Sequence, residues 1–273
     1  MDQEKIIAAS PLGDKSEYVD QYSPALLFPI PRKEPWRPSF TKRPFYGVDI
    51  WNAYEISWLN KQGVPQMAIG EFRLPGDSPN IVESKSFKLY LNSFNQTIVE
   101  SRDKAQQMMQ KDLSEAAGAP MQVRLFGLNE QAMPIMATPG ECIDERPIDT
   151  LVYEPEANLL ATQEDQYRTE TLHSHLLKSN CPVTGQPDWA TLVVEYEGAT
   201  LDRSNLLEYI ISYRQHGDFH EQCVEQIFLD IMAQCQPKQL TVYARYLRRG
   251  GLDINPYRST RPLDPPNCRT ERQ

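Results

Sequence analysis

The 273-residue sequence predicts an α+β protein built by tandem duplication, each half an antiparallel sheet with two helices on one face. Three observations carry that prediction. Residues 63–68 (G-V-P-Q-M-A) and 185–190 (G-Q-P-D-W-A) share a G-x-P-x-x-A frame. Each frame opens an alternating stretch, MAIGEFRL and ATLVVEYEG, with the period of a half-buried strand. Residues 83–94 then align with 202–213, pairing Tyr90 with Tyr209, Ser93 with Ser212 and Phe94 with Tyr213.

In that aligned block apolar residues fall at 87, 91 and 94 in one copy and at 206, 210 and 213 in the other. This i, i+4, i+7 spacing is that of an amphipathic helix, and its recurrence removes the ambiguity of either copy alone. A second helix follows in each half. From Asp103 to Ala117 the apolar face is Ala105, Met108, Met109, Leu113 and Ala116; from Phe219 to Ala233 it is Cys223, Val224, Ile227, Phe228 and Ile231. Strand-like runs, MQVRLFGL and QLTVYARYL, close the two halves. The spacing between the aligned blocks differs by three residues, which a loop at Pro75-Gly76-Asp77 absorbs.

The expected organisation is an extended proline-rich arm over 1–45, a first domain over 46–140, an acidic connection over 141–172 and a second domain over 173–273. The arm has six prolines between residues 24 and 44, amid Trp36 and Phe40. The connection gathers Glu141, Asp144, Glu145, Asp149, Glu154, Glu156, Glu164 and Asp165. The tail after Gly251, with PYRSTRPLDPPN, is expected to be irregular.

Composition narrows the function. A formal net charge of -9 argues against a nucleic-acid backbone as the main partner. No apolar run approaches the ~20 residues that span a bilayer, and MDQEKIIAAS lacks the apolar core of a secretory signal. Cysteines 142, 181, 223, 235 and 268 show no C-x-x-C pair or disulfide-scaffold spacing, so a reducing cytoplasm is expected.

The differences between the halves locate the chemistry. Asp188 stands where the first half has Gln66, and Cys181 where it has Leu59. Cys181, between Asn180 and Pro182, is either a small buried hydrophobe or a nucleophile presented by a turn. Asp188 is either a turn residue or, beside Pro187 and Trp189, an acid whose desolvation would raise its pKa. In H-G-D-F-H-E (216–221), Asp218 and Glu221 have the spacing of a capping box. His216, His220 and Cys223 lack the register and the further ligand pair of a metal site, so no metal is expected. Glu83-Ser84-Lys85-Ser86 opens a helix with hydroxyls, a lysine and backbone N–H groups suited to phosphate or to plain capping. Arg248-Arg249-Gly250-Gly251 is a basic turn. No Rossmann or P-loop fingerprint accompanies either stretch. The other four cysteines are expected to serve packing.

Three motifs together, E-S-K-S-F-K-L-Y (83–90), C-P-V-T-G-Q-P-D-W-A (181–190) and H-G-D-F-H-E (216–221), resemble those of the 7-cyano-7-deazaguanine reductases. These are the NADPH-dependent nitrile reductases of queuosine synthesis, here in their longer two-domain form. No departure from the family pattern is visible in any of the three. The resemblance implies tandem tunnelling-fold domains, a homodimer, NADPH as cofactor and a free deazapurine base as substrate. It implies that Cys181 is the nucleophile forming a thioimide and Asp188 the proton donor. His220 and Glu221, with Val82, Glu83 and Ser84, would contact the substrate, and Ser84, Lys85, Arg249 and Gly250 would hold NADPH. Thiolate addition turns a weakly electrophilic nitrile into a C=N group able to accept hydride, which is the chemistry a Cys–Asp pair can supply. Two other readings remain: a cysteine hydrolase using Cys181 and His220, and a zinc-dependent pterin-type enzyme or purine-binding module on the same fold.

Overall fold

The computed structural model describes residues 18–32, 43–130, 133–149 and 151–273. Trp36 and Phe40 of the expected arm lie outside them. Two compact units emerge. The first comprises the described N-terminal residues to 32, Asp49–Pro134 and Arg248–Ile254; the second comprises 43–48, Ile135–Leu247 and Asn255–Gln273.

In the first unit β1 (Pro29–Pro31) pairs antiparallel with β4 (Asn80–Val82). β2 (Tyr46–Leu59) and β3 (Pro65–Pro75) are neighbours in a sheet that β5 (Gln122–Phe126) joins antiparallel to β3. Helices α1 (Ser84–Asn92) and α2 (Arg102–Ala117) supply Phe87, Tyr90, Leu91, Ala105, Met109 and Leu113 to the core. The arm is therefore partly structure. Ile30, between two prolines that cannot donate, is fully buried against β4.

In the second unit β7 (Thr162–Asn180) and β8 (Pro187–Leu201) form a long antiparallel hairpin. β9 (Gln239–Tyr246) pairs with β8, and β10 (Leu252–Ser259) with β9 over Tyr257–Ser259. The two-residue β6 (Glu141–Cys142) adds in parallel to β7. Alternation along β8 and β9 turns Leu192, Val194, Tyr196, Leu240, Val242 and Ala244 to one face. Helices α3 (Arg203–Ser212) and α4 (His220–Cys235) cover that face with Leu206, Ile210, Val224, Ile227 and Phe228. No described helix is long and apolar enough to cross a membrane.

Two expectations need correction. Residues 162–172, assigned to the acidic connection, are the first half of β7, because their backbone groups ladder onto the far end of β8. Thr162 pairs Leu201, Tyr167 pairs Ala199 and Leu172 pairs Val194. The tail after Gly251 begins as strand β10, all eight of whose residues are buried, and is irregular only from Thr260 on. Pro256 precedes the residues laddered to β9 and so withdraws no donor from them.

The duplication extends to polar detail. Glu83 caps α1 by accepting from the amides of Lys85 and Ser86, and Asp202 caps α3 by accepting from those of Ser204 and Asn205. The Ser93 hydroxyl donates to the Tyr90 carbonyl at 2.6 Å, and that of Ser212 to Tyr209 at 2.6 Å. Tyr90 donates to Asp112 on α2 at 2.7 Å, and Tyr209 to Asp230 on α4 at 2.6 Å. The same tyrosine–carboxylate bond thus pins the two helices of each unit, across an apolar interface where an unpaired carboxylate would be costly.

Truncating the acceptor should cost more than truncating the donor. Asp230→Ala removes the carboxylate acceptor from the fully buried Tyr209 hydroxyl, and a loss of about 2–3 kcal/mol is expected in urea unfolding. Tyr209→Phe should lose less, since Gln226 also donates to Asp230 at 2.8 Å.

Candidate active site

The hairpin between β7 and β8 builds the first cluster. The last paired residues are Asn180 with Pro187 and Ser179 with Asp188. Cys181 opens the connecting turn, its amide donating to Gln186 at 2.9 Å while its carbonyl accepts from Gly185 at 3.0 Å. Cys181 and Asp188 therefore stand on opposing arms of one tight turn, each only 6% exposed. Pro187 is exposed and Trp189 half-buried, and the buried aspartate also meets a side chain of helix α4.

Asn180 brings that helix in. Its amide donates to the His216 carbonyl at 2.8 Å, and its carbonyl accepts from the Asp218 amide at 3.2 Å. Its side-chain oxygen accepts from Lys178, which also donates to the Arg214 carbonyl at 2.7 Å. The 216–218 segment is thereby zipped to the end of β7 as a short parallel bridge at Gly217. Two residues later the chain enters α4, and His220 in its first turn places Nε2 3.3 Å from Asp188 Oδ2.

The capping box expected of Asp218 and Glu221 does not form. Phe219 is the N-cap residue and makes no side-chain cap, because the amide of Asp218 is committed to Asn180 and its carboxylate accepts from the Phe219 amide at 2.9 Å. Glu221 is 2% exposed and faces inward rather than back along the helix start. Nor do His216, His220 and Cys223 gather as ligands: among the described residues they form no metal-binding group.

Tyr246 escaped sequence reasoning. Its ring stacks on His220 with centroids 3.8 Å apart and planes 7° apart, fixing the imidazole's plane. The available signal was alternation in QLTVYARYL, which sends Val242, Ala244 and Tyr246 to one face with only the last carrying a polar group. Burial holds the Tyr246 hydroxyl neutral by pushing its pKa well up. His220 Nδ1 is buried without a hydrogen-bond partner among the described residues. The buried Ser179 and Tyr246 hydroxyls have none beyond each other and the Cys223 thiol. Such groups clustered beside a cysteine mark a place built for polar atoms of a ligand.

The second cluster lies in the first unit. Val82 ends β4, and Glu83 is fully buried as the cap of α1, its oxygens 2.6 and 2.7 Å from the amides of Lys85 and Ser86. Burial pushes its carboxyl pKa up, while those bonds pull it down. Of the two uses open to this helix start, phosphate or plain capping, the amides of Lys85 and Ser86 serve capping, by a carboxylate of the chain itself. Arg249 and Leu252 close a tight turn, with the Arg249 amide 2.8 Å from the Leu252 carbonyl. Gly250 (φ +61) lies so close to α1 that a Cβ there would meet Lys88, its Cδ at 3.1 Å. Lys88 on α1 thus reaches the Arg248–Arg249 turn, which the Glu55 carboxylate also approaches at Gly251, and the Arg248 guanidinium sits 4.2 Å above the Tyr54 ring. These donors suit a cofactor's phosphates through side chains.

Fold and residues together define a class: an α+β protein with a buried cysteine on the turn of the hairpin whose aspartate pairs with a histidine. Comparison with known families narrows it. Residues 18–125 match the family model described as "Nitrile reductase, 7-cyano-7-deazaguanine-reductase N-term", and residues 187–264 match that of the "QueF-like protein". The chain belongs to this nitrile reductase family, in its two-domain form. Among solved structures it is similar to the archaeosine synthase QueF-Like in the apo form, at 19% identity and TM-score 0.30, over 38% of this chain and 96% of that one.

The buried thiols give a prediction. Burial pushes Cys235 up to about 11 and Cys223 higher still. In native protein both should resist iodoacetamide at neutral pH while exposed Cys142 is modified, as peptide mapping would show. Because the folded value of Cys235 exceeds the ordinary 9.0, the unfolded chain ionises first. Its contribution to stability should therefore be intact below pH ~9 and fall as pH rises towards ~11. Cys235→Ala should flatten that decline in thermal unfolding.

Proposed function

We propose that the protein reduces the nitrile of 7-cyano-7-deazaguanine to the aminomethyl group of 7-aminomethyl-7-deazaguanine, consuming two NADPH and passing through a thioimide on Cys181. The observation that supports this best is the Asp188–His220 pair, 3.3 Å apart, beside the hairpin turn that carries Cys181, in a chain that both family models match.

The chemistry follows from the residues. Cys181 Sγ adds to the nitrile carbon while a proton shared between Asp188 Oδ2 and His220 Nε2, 3.3 Å apart, goes to the nitrile nitrogen. One C–S bond forms and one C–N π bond is lost, leaving a thioimide. NADPH, when bound, supplies hydride. After the C=N group is reduced, the C–S bond breaks with its electron pair returning to sulfur, and an imine remains. A second hydride and a proton complete the amine. At 6% exposure, Cys181 and Asp188 offer the dry surroundings an imine needs to escape hydrolysis.

The acidic Glu221 and Glu83 are assigned to the N–H donors of the guanine-like face. His220, Val82 and Ser84 complete the substrate contacts. Ser84, Lys85, Arg249 and Gly250 are assigned to NADPH, now through side-chain cations. A homodimer is part of the proposal, to be checked by light scattering.

Mixing the protein with 7-cyano-7-deazaguanine alone should give an adduct of the substrate's mass in intact-protein mass spectrometry, absent in Cys181→Ala and discharged by NADPH. No adduct and no NADPH oxidation would sink the proposal. The aspartate–histidine pair also suits a cysteine hydrolase. That reading predicts an adduct that releases amide or acid without NADPH.

Two variants separate the roles. Asp188→Asn should lower kcat by about 100-fold or more while non-covalent substrate binding persists. Tyr246→Leu, which removes the stacking surface of His220, should cost about 10-fold in kcat and alter its pH profile, with far-ultraviolet circular dichroism unchanged.

A further inference from the structure

We propose that Cys142, His173 and His175 form a binding site for a zinc-class divalent metal ion, in the second unit and apart from the Cys181 cluster. Cys142 lies on the two-residue β6, in register with His173 on β7, so the two side chains leave the sheet on one side. His175 follows His173 by two residues along the same strand and shares that side. Sγ of Cys142 and one ring nitrogen of each histidine lie within 4.8 Å of one another.

The surroundings hold these donors in place. Gly140, at φ +82, lets the chain lie flush on β7, where a Cβ would overlap the Thr171 carbonyl. That close approach sets the Pro139 carbonyl 2.9 Å from His173 Nδ1. A carbonyl only accepts, so Nδ1 carries the proton and Nε2 keeps the lone pair that binds a metal. His175 Nδ1 is likewise held, 2.9 Å from Thr191 Oγ1. Asp144 fixes the backbone between them, accepting from the Ser174 hydroxyl at 2.6 Å and the His175 amide at 3.1 Å. Each imidazole therefore has the outer partner that ligating histidines ordinarily have.

One thiolate and two imidazoles suit a borderline-soft cation such as Zn²⁺ and leave a fourth position open. Tetrahedral bonds of ~2.0–2.3 Å put ligand atoms about 3.3–3.7 Å apart. The donors, now within 4.8 Å of one another, would have to draw together to reach that geometry. The ion would then staple the 139–144 segment to the strand that ends at Asn180.

Cobalt titration tests the site, because Co²⁺ reports thiolate ligation by colour. Full-length protein stripped with a chelator should develop ligand-field bands and a sulfur-to-cobalt charge-transfer band saturating near one equivalent, and Zn²⁺ should bleach both. Cys142→Ser, at an exposed position, should abolish the charge-transfer band, and His173→Gln should weaken binding about 10-fold or more. Cys181→Ala should leave the spectrum unchanged. Absence of the band in the wild-type protein, or its survival in Cys142→Ser, would overturn the proposal. So would its loss in Cys181→Ala, which would place the metal on the other cysteine.

Discussion

The cysteine site depends on the two backbone hydrogen bonds of Asn180. Its amide and carbonyl are the last main-chain groups of β7, and they are spent not on another strand but on His216 and Asp218. A strand end and a helix entry are thereby locked together. The cluster around Cys181 follows: the turn beyond Asn180 carries Cys181, the strand opposite carries Asp188, and the helix that begins two residues after Asp218 carries His220 and Glu221. Lys178 reinforces the lock from the preceding residue on its face of β7. Because backbone groups make the lock, it sets position more firmly than flexible side chains alone would.

Around that lock the fold repeats one solution twice and specialises each copy. Both units cap their first helix with an acidic residue and pin their two helices by a buried tyrosine–aspartate bond. With the scaffold held by the same interactions, the hairpin and helix starts are free to differ. The first unit has Gln66 and Leu59 where the second has Asp188 and Cys181. The first unit instead collects basic side chains around α1. Glu83, the carboxylate proposed for a purine's N–H groups, is also the cap on which α1 begins.

One buried charge elsewhere is closely paired. Arg258 is fully buried, with its guanidinium on Glu225 at 2.6 and 3.1 Å, on the Tyr257 carbonyl at 2.9 Å and 5.4 Å from the Phe45 ring. An ion pair this dry owes its stability to the extra acceptor and the ring as much as to Coulomb attraction. Gln273 plays a comparable part, accepting from Arg245 and donating to the Tyr246 carbonyl and Asn255. That network braces the strand bearing the tyrosine under His220.

Periodicity alone determined the repeat, the four helices and their buried faces, because these are local patterns whose spacing matches backbone geometry. Cys181 and Asp188 stood out as differences between two aligned halves, and His220 and Glu221 as part of a motif that resembles one family's. What sequence could not show were contacts made across the chain. The capping box at 218–221 yields because Asn180, 38 residues earlier in sequence, takes the Asp218 amide first. Tyr246 and His220 meet only when β9 is laid beneath α4. Cys142 joins His173 only through a parallel pairing that no local signal announces. Local propensity sets which elements form. Competition for backbone hydrogen bonds between distant segments decides which side chains meet, and that competition is settled only in the folded chain.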